Sequence, residues 1–200
     1  MKIIDGLKLD GWQVEIPDCG RDDLPEFFKD MGYKVGVEVG VWTGEFGKIL
    51  CSTGLKLYGV DPYEWDPVNK YYGKQEWIDQ AYEEAKIRLK DCDYTIIRKT
   101  SMDAVKDFAD ESIDFVYIDG NHLYKYVMED IIEWSKKVKK GGVISGHDYI
   151  YFYRPDYNDV KHAVNRYTKK AGIKKWYLLG NREKKEGVKR DKFRSFMWIK

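Results

Sequence analysis

The chain has 200 residues, of which 43% are hydrophobic and 34% charged, with 35 Lys plus Arg against 34 Asp plus Glu. That length suits a single domain over residues 1–200, with a helical extension over 1–33, and the near-neutral balance gives no indication of nucleic acid as a partner. Three scattered cysteines, Cys19, Cys51 and Cys92, indicate neither a disulfide framework nor a zinc site and fit a reducing cytoplasm, and neither a signal-like N-terminus nor an apolar run of about 18 residues points to a membrane.

Within the first 33 residues one segment, 22–31, has helical character, with Leu24, Phe27 and Phe28 on one side and Pro25 in its first turn. From residue 34 onward, short apolar runs alternate with longer amphipathic stretches, the pattern of βα units around a parallel sheet. YKVGVEVG (33–40) is rich in valine and ends at glycines, as a buried parallel strand does before a tight turn, and residues 43–53 are the helix after it. LKLYGVD (55–61) is a second strand, stopped by Pro62, which has no N–H to continue a central ladder. A polar and aromatic loop over 62–74 leads to a helix over 75–90, in which Trp77, Ala81, Ala85 and Leu89 recur every four residues.

Residues 93–101 and 115–122 are the third and fourth strands, with a brief helix at 103–108 between them. Val127, Ile131, Trp134 and Val138 then form one apolar helical stripe, and the lysines from Lys136 to Lys140 precede a helix stop at Gly141. GGVISGHD (141–148) is the fifth strand, residues 156–171 a helix stopped by Gly172, and 174–180 and 193–200 the last two strands, joined by a charged loop over 182–192.

Glu38, Gly40, Trp42 and Gly44 lie where the first strand turns into the first helix. Glycines there let backbone approach a ligand, and the start of a helix offers N–H groups to polar atoms. Asp61 follows Gly40 by 21 residues at the end of the second strand, where an acid accepts hydrogen bonds from ribose hydroxyls in nucleotide-binding α/β folds. Gly36, Gly40 and Gly44 are spaced four apart, which departs from the G-x-G-x-x-G of dinucleotide enzymes and disfavours NAD or FAD.

The run from Glu38 to Gly44 resembles the first motif of class I S-adenosylmethionine-dependent methyltransferases, an acid, one residue, Gly, three residues and Gly. The resemblance implies a Rossmann-like three-layer α/β sandwich with a mostly parallel seven-stranded sheet whose last strand returns antiparallel. By the same resemblance Glu38 helps hold the methionine amino group, Gly40 with Trp42 and Gly44 passes under the cofactor, Asp61 binds the ribose, and Ser101 and Met102 border the adenine. IDGNHxY (118–124) followed by KGGVISGHDY (140–149) is similar to the small O-methyltransferases related to macrocin O-methyltransferase and the cephalosporin-hydroxylase-like proteins. In that subgroup Asp119, with an acidic pair at the positions of His147 and Asp148, would hold a divalent metal.

Asp119 and Asp148 both end central strands, so two carboxylates can converge at the edge where open α/β sheets bind ligands. Such a pair suits Mg²⁺, which lowers the pKa of a substrate hydroxyl, whereas imidazole from His147 favours a transition metal or no metal site. His122, three residues after Asp119, is a candidate general base beside Asp119, and His162 is structural or exposed. Residues 149–157, with Arg154, border the same edge and suit either an acceptor lid for a sugar or other small molecule or a subunit interface, so a homo-oligomer stays open. The function implied is methylation of a hydroxyl. Its rivals are N-methylation of nucleic acid or protein, disfavoured by the lack of a proline motif after the fourth strand, and a catalytically silent binding protein.

Overall fold

The computed structural model describes residues 1–64, 74–150, 158–181 and 193–200. In chain order the elements are α1 (Ile3–Gly6), β1 (Gln13–Ile16), α2 (Leu24–Asp30), β2 (Val35–Val39), α3 (Glu45–Leu50), β3 (Lys56–Val60), α4 (Gln75–Leu89), β4 (Tyr94–Ile97), α5 (Ser101–Ala104), β5 (Ile113–Ile118), α6 (Tyr124–Lys137), β6 (Val138–Gly146), α7 (Val160–Lys170), β7 (Trp176–Leu179) and β8 (Ser195–Ile199). The strands form one sheet in the order β1-β7-β8-β6-β5-β2-β3-β4. All neighbours pair in parallel except β8, which runs antiparallel to both β6 and β7.

The sheet is the middle of three layers, because its central strands are apolar on both faces and need cover on each. On one side Val37, Val116, Ile118 and Ile144 pack under Ile131, Trp134 and Val164 of α6 and α7. On the other, Phe115, Tyr117 and Leu57 meet Phe28 of α2 and Phe46 and Leu50 of α3. β2 leads outward to β3 and β4, and the chain then returns to place β5 on the other side of β2. That reversal opens a crevice at the carboxyl ends of β2 and β5, where ligands bind in folds of this kind. Among the described residues no helix is long and apolar enough to cross a membrane.

The α/β architecture and the antiparallel last strand match expectation, but the sheet has eight strands where seven were expected. The extra one is β1, in the 1–33 stretch expected as a helical extension, outside its one readable helix at 22–31. Only Val14 and Ile16 of QVEI face inward, and four residues are too few to display a period. They become a strand by pairing with Trp176–Leu179. A second difference is the end of α6, which stops at Lys137 and not at Gly141. Val138 is buried and pairs with Ile113, so this β-branched residue starts the strand. The next match is Phe115 with Val143, so residues 139–142 form an irregularity, with Gly141 at φ +77°. A third concerns α4: its buried stripe is Ile78, Ala81, Ala85 and Leu89, while Trp77 is 60% exposed. The loops over 65–73 and 182–192 and the first part of the 156–171 helix lie outside the described residues, and that helix is seen from Val160.

Phe115 is fully buried and stacks on Phe28 with ring centroids 3.8 Å apart. Phe115→Ala should therefore cost about 3–5 kcal/mol, the range for an aromatic removed from a packed core. In urea denaturation this appears as a lower midpoint at unchanged slope.

Candidate functional site

The carboxyl ends of β2 and β5 touch. Asp119 donates its N–H to the Val39 carbonyl at 2.7 Å, and Gly40 has φ +91°. A Cβ at position 40 would lie 2.2 Å from the Asp119 carbonyl oxygen, so only glycine permits this junction. Gly44 lies on the α4 side of the turn. At φ +74° it lies against Leu89 and Ala85 of α4, where a Cβ would come within 2.9 Å of Leu89, and it lines neither of the cavities described below.

Asp61 braces the turn. Its Oδ2 accepts the backbone N–H groups of Val41 and Trp42, each at 3.0 Å, and its Oδ1 accepts that of Tyr63 at 2.9 Å. The Tyr63 hydroxyl returns a bond to the Trp42 carbonyl at 2.7 Å. Amides expected to face a ligand are thus taken by Asp61, and burial still raises its pKa against the pull of these bonds. Trp42 and Tyr63 both have positive φ, +50° and +48°, and Asp148 has +57°. Left-handed conformations in aromatic residues are uncommon and gather where function requires them.

Below the turn Glu38 is buried, and the Tyr94 hydroxyl donates to its Oε2. Burial pushes the Glu38 carboxyl up to about 8, and the Tyr94 bond only partly opposes that shift.

A cavity of about 560 Å³ opens over this crevice, lined by Gly40, Trp42, Asp61, Ser101, Met102 and Asp119 among others, so six expected residues come together. Sequence reasoning missed its far end. There Ser101 Oγ donates to Asp130 Oδ1 and accepts the indole N–H of Trp134 at 2.8 Å. Asp130 is buried in α6, and burial raises its carboxyl to about 7. A single acid within a helical stripe carries no sequence signal that it turns inward. Glu38 lies instead in a second cavity, of about 340 Å³, on the α3 side of the turn, together with Arg21, Phe46, Asp119 and His122. Arg21 was also missed: its contact with Asp119 spans 98 positions, with Nη1 3.4 Å from Oδ2.

His122 sits between two carboxylates, Nε2 at 3.3 Å from Asp119 Oδ1 and Nδ1 at 3.2 Å from Asp148 Oδ2. Burial alone would lower its pKa, but the Asp119 hydrogen bond and the two negative charges outweigh burial and raise it. For Asp148 burial raises and the bond to His147 with the nearby imidazoles lowers, and the net direction is down. Ligand atoms of Asp119, His122 and Asp148 all fall within 4.8 Å of one another. The expected metal set thus changes in one member. His147 stands beside the cluster, 3.3 Å from Asp148 and 3.9 Å from Asp119, while His122 lies between the acids. His162 is exposed, next to Asp159.

Tyr149, at the head of the expected lid, is buried, donating to Asn165 and accepting from Gln13. It belongs to the core. Ile150 is buried as well, and residues 151–157, Arg154 among them, lie outside the described residues.

Residues 34–149 match the model of a family described as a methyltransferase domain. A curated relative, the uncharacterized protein y4gI of Sinorhizobium fredii, is 28% identical over 94 residues, 46% of this chain and 10% of that protein, so the chain spans about a tenth of its length. Among solved structures, a candidate caffeoyl-CoA O-methyltransferase from Staphylococcus aureus shares 12% identity at a TM-score of 0.63, over 90% of this chain and 82% of the other. An O-methyltransferase from Bacillus cereus in complex with SAH shares 14% at 0.59, over 90% and 80%. At such identities the likeness is one of fold.

The folded state favours the protonated form of Glu38, since its pKa rises from 4.5 to about 8. Its contribution to stability is therefore fully present below pH 4.5 and is lost as pH climbs toward 8. Glu38→Gln keeps an acceptor for Tyr94 without a charge. In scanning calorimetry between pH 5 and 8 the wild-type Tm should fall more steeply than that of the variant, with the variant the more stable at pH 8; parallel curves would contradict a protonated Glu38.

Proposed function

The chain belongs to the methyltransferase-domain family, and from that membership we propose that it moves a methyl group from S-adenosylmethionine to a hydroxyl oxygen of a small acceptor. The observation that carries the reading is the larger cavity, in which the strand-ending acids Asp61 and Asp119, the turn at Gly40 and the Ser101–Met102 pair line one continuous space. A volume of about 560 Å³ is in the range of cofactor pockets. The donor supplies an electrophilic methyl on a sulfonium; the protein must align the acceptor oxygen with it and receive the proton.

Asp61 serves this by holding the turn, and through the remaining lone pairs of its carboxylate it can accept from a ribose hydroxyl. Ser101 and Met102 flank the adenine in the same proposal, with Asp130 behind them. For the proton, His122 is the group of choice. Two flanking carboxylates stabilise a proton on its ring, so the neutral imidazole is a stronger base than an isolated one. Asp119, bonded to it, orients the ring.

A divalent ion is the alternative to His122 as base, because a neutral imidazole whose free nitrogen ligates an ion cannot also take the acceptor's proton. The donor set of Asp119, Asp148 and His122, two carboxylates and an imidazole within 4.8 Å, fits such an ion, and the nitrogen favours Mn²⁺ or another transition metal over Mg²⁺. Bound there, the ion would supply Lewis acidity that lowers the pKa of the acceptor hydroxyl.

Calorimetric titration with S-adenosylmethionine and S-adenosylhomocysteine, with NAD as control, tests the donor assignment. Micromolar binding is expected, weakened about tenfold or more in Asp61→Ala because the turn loses three anchors. Repeating the titration with Mn²⁺, with Mg²⁺ and with a chelator reads the metal. No binding under any condition would sink the methyltransferase activity and favour a silent protein of the same fold.

A further inference from the structure

The smaller cavity shares Gly40, Trp42 and Asp119 with the larger one, so a single ligand can run from one to the other over the backbone of Gly40. Its lining differs in charge. Glu38, Glu45 and Asp119 bring carboxyl groups, and Arg21 brings a guanidinium.

Arg21 is placed with care. It opens a short 3-10 turn, Arg21–Asp23, closed by the Gly20 N–H donating to Asp23 Oδ2 at 2.7 Å. Its guanidinium lies 5.3 Å from the centroid of the Phe46 ring, and Nη1 reaches to 3.4 Å from Asp119 Oδ2. A strong charge-assisted bond is nearer 2.7–2.9 Å, and the other neighbours are the Tyr117 hydroxyl and Asp22, 4.0 Å from Nε, so the guanidinium lines the cavity without a close bidentate carboxylate partner among the described residues. The side chain is 33% exposed, accessible yet partly shielded from water.

We infer that Arg21 binds the carboxylate of the methyl donor's α-amino-acid end, with the Asp119 carboxylate facing the ammonium that the resemblance sets beside Glu38. The inference rests on the donor reading above. A zwitterion brings one positive and one negative group, so each finds an opposite partner and the net charge of the site is unchanged. An acceptor bearing only an anion would satisfy Arg21 but face three carboxyl groups, and one bearing only a cation would leave Arg21 competing with it for Asp119. A planar guanidinium also matches a carboxylate with two parallel N–H···O bonds, which an ammonium cannot do. Arg21 is therefore the residue that tells the donor from its decarboxylated form.

The test compares S-adenosylhomocysteine with 5′-(3-aminopropylthio)-5′-deoxyadenosine, which lacks only the carboxylate, in calorimetric titrations of the wild type, Arg21→Lys and Arg21→Met. The wild type should prefer S-adenosylhomocysteine by about tenfold or more, the size expected for a charged hydrogen-bonded pair. Arg21→Met should abolish that preference by weakening S-adenosylhomocysteine alone, and Arg21→Lys should keep part of it. Equal weakening of both ligands in Arg21→Met would mark a structural role and overturn the inference. So would a wild type that binds both ligands equally, which needs no variant to fold, or a variant that binds both normally and shows only a raised acceptor KM. A wild type that binds neither ligand removes the donor reading itself, an outcome distinct from the others.

Discussion

At position 40 there is no room for a side chain, and the rest of the site depends on that. With no Cβ, β2 ends directly against the carbonyl of Asp119 at the end of β5. The contact brings two strand ends, one carrying Glu38 and the other Asp119, to the reversal point of the sheet. Asp61, from the end of β3, then ties down the turn that leaves Gly40. Three consecutive central strands thus each contribute an acid to one crevice, and each acid has a different job because its neighbours differ.

Burial separates them. Glu38 lies under the turn with one hydroxyl for company and is held near 8, whereas Asp148 faces two imidazoles and is pulled down. Asp130, at the opposite end of the larger cavity, is raised to about 7 by the same desolvation that acts on Glu38. The two cavities thus each hold an acid whose carboxyl burial has raised, Glu38 in the smaller and Asp130 in the larger, with Asp119 shared between them. This gradient comes from packing, since the acids are alike in chemistry and differ only in what surrounds them.

How legible the molecule is from its residues follows the range of the interactions involved. The valine runs of β2 and β5, the 21-residue step from Gly40 to Asp61 and the placement of Ser101 and Met102 are local patterns, and they lead to the observed crevice. What escapes is decided over long distances. Arg21 is defined by its contact with Asp119, β1 by its pairing with β7, and the inward turn of Asp130 by Ser101. The exchange of His147 for His122 in the cluster has a similar origin. Both histidines sit near strand-ending acids in sequence, and it is the His122 ring that lies between the Asp119 and Asp148 carboxylates, with Asp148 at φ +57°. Trp77 and Ile78 are adjacent on α4, and a four-residue recurrence that fits one nearly fits the other.

The pairing of β1 with β7 carries a consequence for how the protein is made. Gln13–Ile16 finds its partner, Trp176–Leu179, only across the whole of the intervening α/β units. Central strands β2 to β5 can close on one another early, but the edge strand has no ladder to join until β7 has been made. Arg21 follows that strand by only a few residues. The crevice between β2 and β5 can thus form before the edge strand is held, and Arg21 is tied to it by Asp119 and Phe46 whether or not β1 has yet found its ladder.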